Sequence, residues 1–308
     1  GDVYKRQHFG ESATLTAGHA QRAFRYAHLA AEQAEKQAAW AESARRYESC
    51  LTLLTETETS LEGDEAALYL AAGRCHLNAS NHRDAWRRLM RATDLFKARG
   101  DGVGMANAAI EANVVFGITN ERIVRLLKGA LDILGERDHR LEARIRARLY
   151  ARTEGPESET YRERAASLAA EHGLHDVRAD LTFEDSYKFI GSGEFVRASD
   201  GLADAARQYE AANLPREVAL ALQYQTLAEI HAGRTSAAYE VAKRSVDHAH
   251  RHHRHMYEEL TAASLAGLLF GLCRFEEFDA LLEEYAAAAL PHFPLQRAHR
   301  ALLAGDIE

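Results

Sequence analysis

The stretch Tyr69–Ala92, YLAAGRCHLNASNHRDAWRRLMRA, reads as two amphipathic helices around a short polar break. Leu68, Ala71, Ala72 and Cys75 recur at three- to four-residue spacing, which predicts a helix from Asp64 to Asn78 with one apolar face. Ala79, Ser80 and Asn81 interrupt that period with short side chains, and Asn81 stands where an N-cap belongs. The second helix resumes with Ala85, Trp86, Leu89, Met90, Ala92 and Leu95, again on one side. Two such faces are hidden only against each other and against neighbouring pairs.

Small residues (Gly73, Ala85, Ala92) occupy positions where two helices could approach closely, and Tyr69 and Leu89 are large enough to fill the space between them. The arrangement resembles the tetratricopeptide repeat: its W-x2-L-G-x2-Y…A-x3-F pattern is met as Tyr69, Ala72, Gly73, His76, Ala85 and Leu89, with four of the six positions substituted. The pattern recurs. Second-helix anchors Tyr47/Cys50, Leu89/Ala92, Leu127/Ala130, Ala165/Leu168, Leu202/Ala205, Ala242/Ser245 and Leu282/Tyr285 follow one another at intervals of 37 to 42 residues. A tetratricopeptide unit has about 34 residues and HEAT or armadillo units about 40 to 47, so the chain holds either lengthened tetratricopeptide units or a looser helical array; Gly73 and Ala85 favour the former. The expected fold is all-α, a right-handed α-solenoid of about seven antiparallel helix pairs. These lie near 17–57, 64–98, 105–135, 138–173, 177–212, 215–250 and 256–289, with a partial helix at 295–304, in a single domain spanning 8–308. Residues 1–7, GDVYKRQ, look like a translated sequencing adaptor and are set aside.

Composition agrees. Of the 308 residues, 46% are hydrophobic and 27% charged, enough apolar content for a large core and too much for disorder. Lys plus Arg is 38 against 46 Asp plus Glu, a formal net charge of −8 that argues against direct nucleic-acid binding by a basic face. The four prolines fall in breaks or at helix starts. The three cysteines, Cys50, Cys75 and Cys273, lie far apart beside apolar helical patterns and are expected to be small core residues in a reducing compartment. No apolar run nears the roughly 20 residues that span a bilayer, and the expected location is the cytoplasm.

Several segments invite a chemical interpretation. Gly100–Gly104, GDGVG, has neither the preceding strand nor the Lys-Ser/Thr of a phosphate loop, and it joins two helices. Asn120 is a plausible N-cap for the helix after it. Arg144, Arg146 and Arg148 alternate, which spreads them around a helix as solvated charges; an anionic-ligand groove is the sharper alternative. Asp247–His255, DHAHRHHRH, has His248/His252 and His252/His255 at helical chelating spacings. Arg251 and Arg254 intervene and no further ligand is local, so His248, His252 and His255 are weak metal candidates. An exposed helix end with imidazolium favoured by the dipole is the expectation, with no metal and no cofactor. Acids form surface runs such as Glu276/Glu277, and no catalytic set is apparent, so an enzyme is not expected; a metal-dependent one using the histidines is the remote alternative.

Stacked pairs should curve so that first helices line a concave wall. Arg74, Asn78, Asn113, Arg148, Tyr187 and Tyr224 are the candidate groove residues. The alanine- and arginine-rich idiom, AAWAESARRYESCLTLL followed by DEAALYLAAGRCHLNASNHRDAWRRLMRATDLFKARGD, resembles the repeat region of bacterial LuxR-type transcription regulators with an upstream ATP-binding module. It is also similar to repeats that follow some adenylate-cyclase-like domains. The resemblance implies an interaction or effector-sensing scaffold, part of a signal-transduction regulator, whose partner is a protein or peptide or a neighbouring domain. A free-standing adaptor or peptide receptor is the alternative, and the upstream reading frame separates the two.

Overall fold

A computed structural model describes residues 17–56, 62–252 and 255–286. Among them are fourteen helices: α1 (Ala17–Lys36), α2 (Trp40–Glu56), α3 (Glu65–Asn78), α4 (His82–Ala98), α5 (Gly102–Ala112), α6 (Asn120–Leu134), α7 (His139–Arg152), α8 (Gly155–Glu171), α9 (His175–Gly191), α10 (Phe195–Ala211), α11 (Pro215–His231), α12 (Thr235–Arg251), α13 (His255–Gly271) and α14 (Phe275–Ala286). Except for α5 and α6, they pack as successive antiparallel pairs, the all-α arrangement the periodicity predicts. The expected leader at 1–7, most of the loop at 55–60 and the partial helix at 295–304 lie outside the described residues.

Two compact units divide the chain, 1–116 and 117–308. The boundary falls inside the third expected pair, so α5 belongs to the first unit, where it packs on α4, and α6 opens the second, where it packs on α7. In the second unit α7, α9, α11 and α13 also touch in sequence, making a row of first helices beside their partners.

The turns set the length of the repeat. From α8 to α13 every helix is 17 residues long. Left-handed residues recur at Gly173, Gly193, Asn213 and Gly233, and again at Cys273. At each, the following N–H reaches back to the last helical turn, as Glu194 to Phe189 O and Leu214 to Tyr209 O, both within 3.0 Å. That is the Schellman closure, which satisfies carbonyls the helix end would leave bare. The same residue whose N–H makes this bond caps the next helix, so each turn occupies three residues. A 17-residue helix plus this turn gives a pair of 40 residues, which accounts for the 40-residue spacing of the later anchors.

Packing follows the sequence anchors closely: all fourteen second-helix anchor residues are buried. The α3/α4 pair shows why small residues are needed. A Cβ on Gly73 would lie 2.7 Å from Leu89 Cγ, inside contact distance, and Leu89 itself is fully buried. Asn81 caps α4 through its side chain, which accepts from the Asp84 N–H at 3.3 Å, and Asp64 caps α3. GDGVG spans the α4–α5 turn and the first residues of α5, with Asp101 capping α5 through the Gly104 N–H.

Two expectations need correction. Asn120 is the first residue of α6; Thr119 holds the cap position, and the Asn120 amide donates to Arg152 O at 2.8 Å instead. Cys273 is exposed in the α13–α14 turn at φ +59, while Cys50 and Cys75 are buried. The turn metre, which periodicity of apolar residues does not report, places Cys273 outside the helix.

Candidate functional site

Four-residue spacing stacks side chains along one side of a helix. On α7 it aligns Arg140, Arg144, Arg148 and Arg152; on the neighbouring first helix α9 it aligns Asp176, Asp180 and Glu184. The two stripes meet. Arg140 Nε donates to Asp176 Oδ2 at 2.9 Å, Arg148 Nη2 to Asp180 Oδ1 at 3.0 Å and Arg148 Nη1 to Glu184 Oε1 at 3.4 Å. Tyr209 Oη, from the second helix α10, donates to the same Asp180 oxygen at 2.8 Å.

Arg148, Asp180 and Glu184 are all buried. The expectation of solvated arginines therefore fails at Arg148, because the facing carboxylates supply the neutralisation that water would otherwise give. Burial works against the Arg148 cation, but Asp180, with Tyr209 and Glu184, outweighs it and holds the charge more firmly than usual. Burial pushes the Tyr209 hydroxyl well above its ordinary value, and Asp180 adds to the rise. Glu217 of α11 stays below the usual carboxylate value; burial opposes this, but Arg216 and Arg148 overcome it.

At one end of this ionic floor stand the aromatic candidates. Tyr187 on α9 is 44% exposed and meets the half-buried Tyr224 of α11 edge-on, ring centroids 4.9 Å apart. Phe183 lies buried beneath, 5.8 Å from Tyr224. Arg152 is half-buried at the C-terminal end of α7, where burial lowers its pKa and both tyrosines lie within its electrostatic reach. Arg148, Tyr187 and Tyr224 thus come to one row of first helices, and Arg152, Asp180, Glu184, Tyr209 and Glu217 join them. Sequence reasoning missed the latter group. The signal was the four-residue register of arginines on α7 matched by acids on α9, hidden when Arg144, Arg146 and Arg148 are considered as an alternating run.

In the first unit the candidates serve local packing. Arg74 Nη2 donates to Glu35 Oε1 of α1 at 2.6 Å, and the Asn78 amide donates to Arg74 O at 3.1 Å. Asn113 is buried as the C-cap of α5. An apolar cleft of about 440 Å³ opens elsewhere in this unit, lined by Phe24, His28, Tyr47, Leu68 and Ala71 among others.

The histidine segment differs from its expectation at His248. This residue is buried, its Nε2–H donates to Pro215 O at 2.9 Å, and burial lowers its pKa, so the neutral ring is favoured in place of an exposed imidazolium. His252 is exposed beside it, ring centroids 4.5 Å apart; the His255 side chain lies outside the described residues. Among the described residues no three His, Cys, Asp or Glu side chains are grouped to hold a metal ion. None of the described helices is long and apolar enough to cross a membrane.

No protein-family model matches the chain, and no curated protein matches it in sequence. Solved structures do match in fold. One is the crystal structure of a Signal Transduction ATPase with Numerous Domains (STAND) protein with a tetratricopeptide repeat sensor, from Pyrococcus horikoshii, at TM-score 0.50 and 13% identity. The match covers 86% of this chain and 43% of that one, so the chain spans less than half of its length.

Proposed function

We propose that this chain is a non-catalytic helical-repeat scaffold that senses an effector or docks a protein, and that it belongs to a longer bacterial signal-transduction regulator working in the cytoplasm. The observation that carries this reading is the row of first helices in the second unit. Where first and second helices meet, alanine and leucine fill the space; along the row, buried ion pairs lie beside tyrosines that rest on Phe183 and reach solvent. Half-exposed tyrosines over a rigid base supply contact area at low entropic cost, the property of binding hot spots.

Tyr187 and Tyr224 are the proposed contact residues, with Arg152 as a cationic neighbour and Arg148 in the buried ion pairs beside them. The fold likeness to a STAND protein whose sensor is a tetratricopeptide repeat supports the sensor role. That the regulator controls transcription rests on the LuxR-like sequence idiom, and an upstream reading frame encoding a nucleotide-binding module is the genomic check.

A thermal-shift screen of a defined panel of metabolites and short peptides tests the site itself. A compound that stabilises the chain but not the Tyr187→Ala/Tyr224→Ala variant supports the assignment. Compounds that stabilise both equally place recognition elsewhere.

A further inference from the structure

We infer that Arg144 is the oxyanion anchor of the row of first helices: its guanidinium takes a carboxylate or phosphate group of the molecule bound there, a role that rests on the row being the binding surface. The other arginines facing out of the middle of α7 are already matched. Arg140, Arg146 and Arg148 each reach a carboxylate, on Asp176, Glu142 and Asp180. Arg144 does not. It is half-buried, its Nε is enclosed without a hydrogen-bond partner, and among the described residues no carboxylate forms an ion pair with it.

The carboxylates around it are engaged by other donors. Asp176 accepts from Arg140 at 2.9 Å, Asp180 from Arg148 at 3.0 Å and from Tyr209 at 2.8 Å, and Glu217 of α11 from Arg216 at 3.1 Å. Among the cations that hold the Glu217 carboxyl below its usual value against burial, Arg216 and Arg148 come first, and Arg144 adds to them from across α9. The Arg144 guanidinium therefore lies on the side of α7 that looks along the row. Its place in the four-residue register, between Arg140 and Arg148, puts it there as well.

A charged donor enclosed without an acceptor is destabilising, and an arginine cannot shed its proton to escape that state. When the side chain turns outward it gives up no hydrogen bond from Nε and no ion pair. Turned outward, it presents the planar fork of N–H groups that a carboxylate or phosphate accepts side by side. The position also bears on the shape of the ligand. Tyr187 and Tyr224 lie near Arg152, about 12 Å along α7 from Arg144. A molecule that touches both is elongated, with its oxyanion at the end away from the tyrosines.

NMR spectra of the arginine Nε–H groups, recorded on the whole chain labelled with 15N-arginine, test the anchor. Sodium phosphate and sodium succinate are titrated separately, with sodium chloride holding the ionic strength constant. The Arg144 signal, identified by its loss in Arg144→Gln, should move and saturate with one salt or both, and the tighter salt tells phosphate from carboxylate. By calorimetry Arg144→Gln should bind that salt at least about tenfold more weakly, the loss of one charge-assisted hydrogen bond. Arg178→Gln, at an exposed arginine of α9, should bind it as the wild type does. No saturating shift, a shift confined to other arginines, or a folded Arg144→Gln chain of unchanged affinity overturns the inference. If the glutamine variant does not fold, Arg144→Lys supplies the assignment and the wild-type titration decides. The Tyr187→Ala/Tyr224→Ala chain separates this role from the site it rests on: salt bound there while no compound of the screen needs the tyrosines removes the tyrosine site alone, and tyrosine-dependent compounds without bound salt remove the anchor alone.

Discussion

Gly73 of α3 and Leu89 of α4 are in contact so close that a methyl group on the glycine would stand 2.7 Å from Leu89 Cγ and 2.8 Å from its Cδ2. Gly73 is therefore an approach point between helices, not a flexible site. Alanine there gains about 1 kcal/mol of helix propensity but forces a fully buried leucine to move, which typically costs about 1–3 kcal/mol. Gly73→Ala should lower stability in urea unfolding by about 1 kcal/mol net. Gly267→Ala in α13, where nothing lies within 4 Å of the added carbon, should raise it by about 0.5–1 kcal/mol.

Cys273 occupies a left-handed turn position, φ +59, that Gly173, Gly193 and Gly233 fill in equivalent turns. A side chain in this conformation costs roughly 1–2 kcal/mol, and the Cys273 thiol is exposed, so little packing is lost on its removal. Cys273→Gly should stabilise the chain by about 1 kcal/mol, less the extra entropy glycine gives the unfolded state. An unchanged or lower urea midpoint would show that the thiol makes a contact worth more than the strain.

Helix existence and second-helix anchors were legible because apolar periodicity directly reports which side is buried, and Tyr47, Leu89, Leu127 and Leu202 are all in the core. The repeat length was legible as well, but its cause was not: it lies in the backbone closures at Gly193 and Asn213, which leave only a glycine or asparagine as their trace. The site was less legible because its core is ionic. Arg148 looks like any surface arginine until Asp180 and Glu184, 32 and 36 residues onward, are brought to its two nitrogens. His248 misled for a similar reason. Composition marked it as part of a polar run, whereas the Pro215 carbonyl gives a buried ring its partner.

Arg148 holds its place by neutralising two carboxylates that water cannot reach. Removing one partner of such a buried set leaves uncompensated charge and typically costs about 3–5 kcal/mol. Arg148→Met should fall in this range at neutral pH by chemical denaturation. The loss should shrink on acidification, as the Glu184 carboxyl, which burial pushes up to about 7, becomes neutral, and a loss independent of pH would show that the arginine acts through its hydrocarbon stem alone.

His248 gives the fold a pH dependence on the acid side of neutrality. Burial lowers its folded pKa below 6.5, while the Pro215 carbonyl, which favours the charged ring, only partly offsets that effect. Below 6.5 the unfolded chain therefore takes up the proton first, and the stability contributed by the neutral buried ring, full above that value, is lost as pH falls through the folded pKa. His248→Gln should flatten the fall in stability between about pH 7 and 5 while keeping a donor for the Pro215 carbonyl, with the slope set by the protons bound on unfolding. The check is a set of urea unfolding curves for both chains across that interval. Parallel pH profiles would mean that the ring is equally accessible to protons in the folded and unfolded chain, and would remove His248 from the core of the α11/α12 pair.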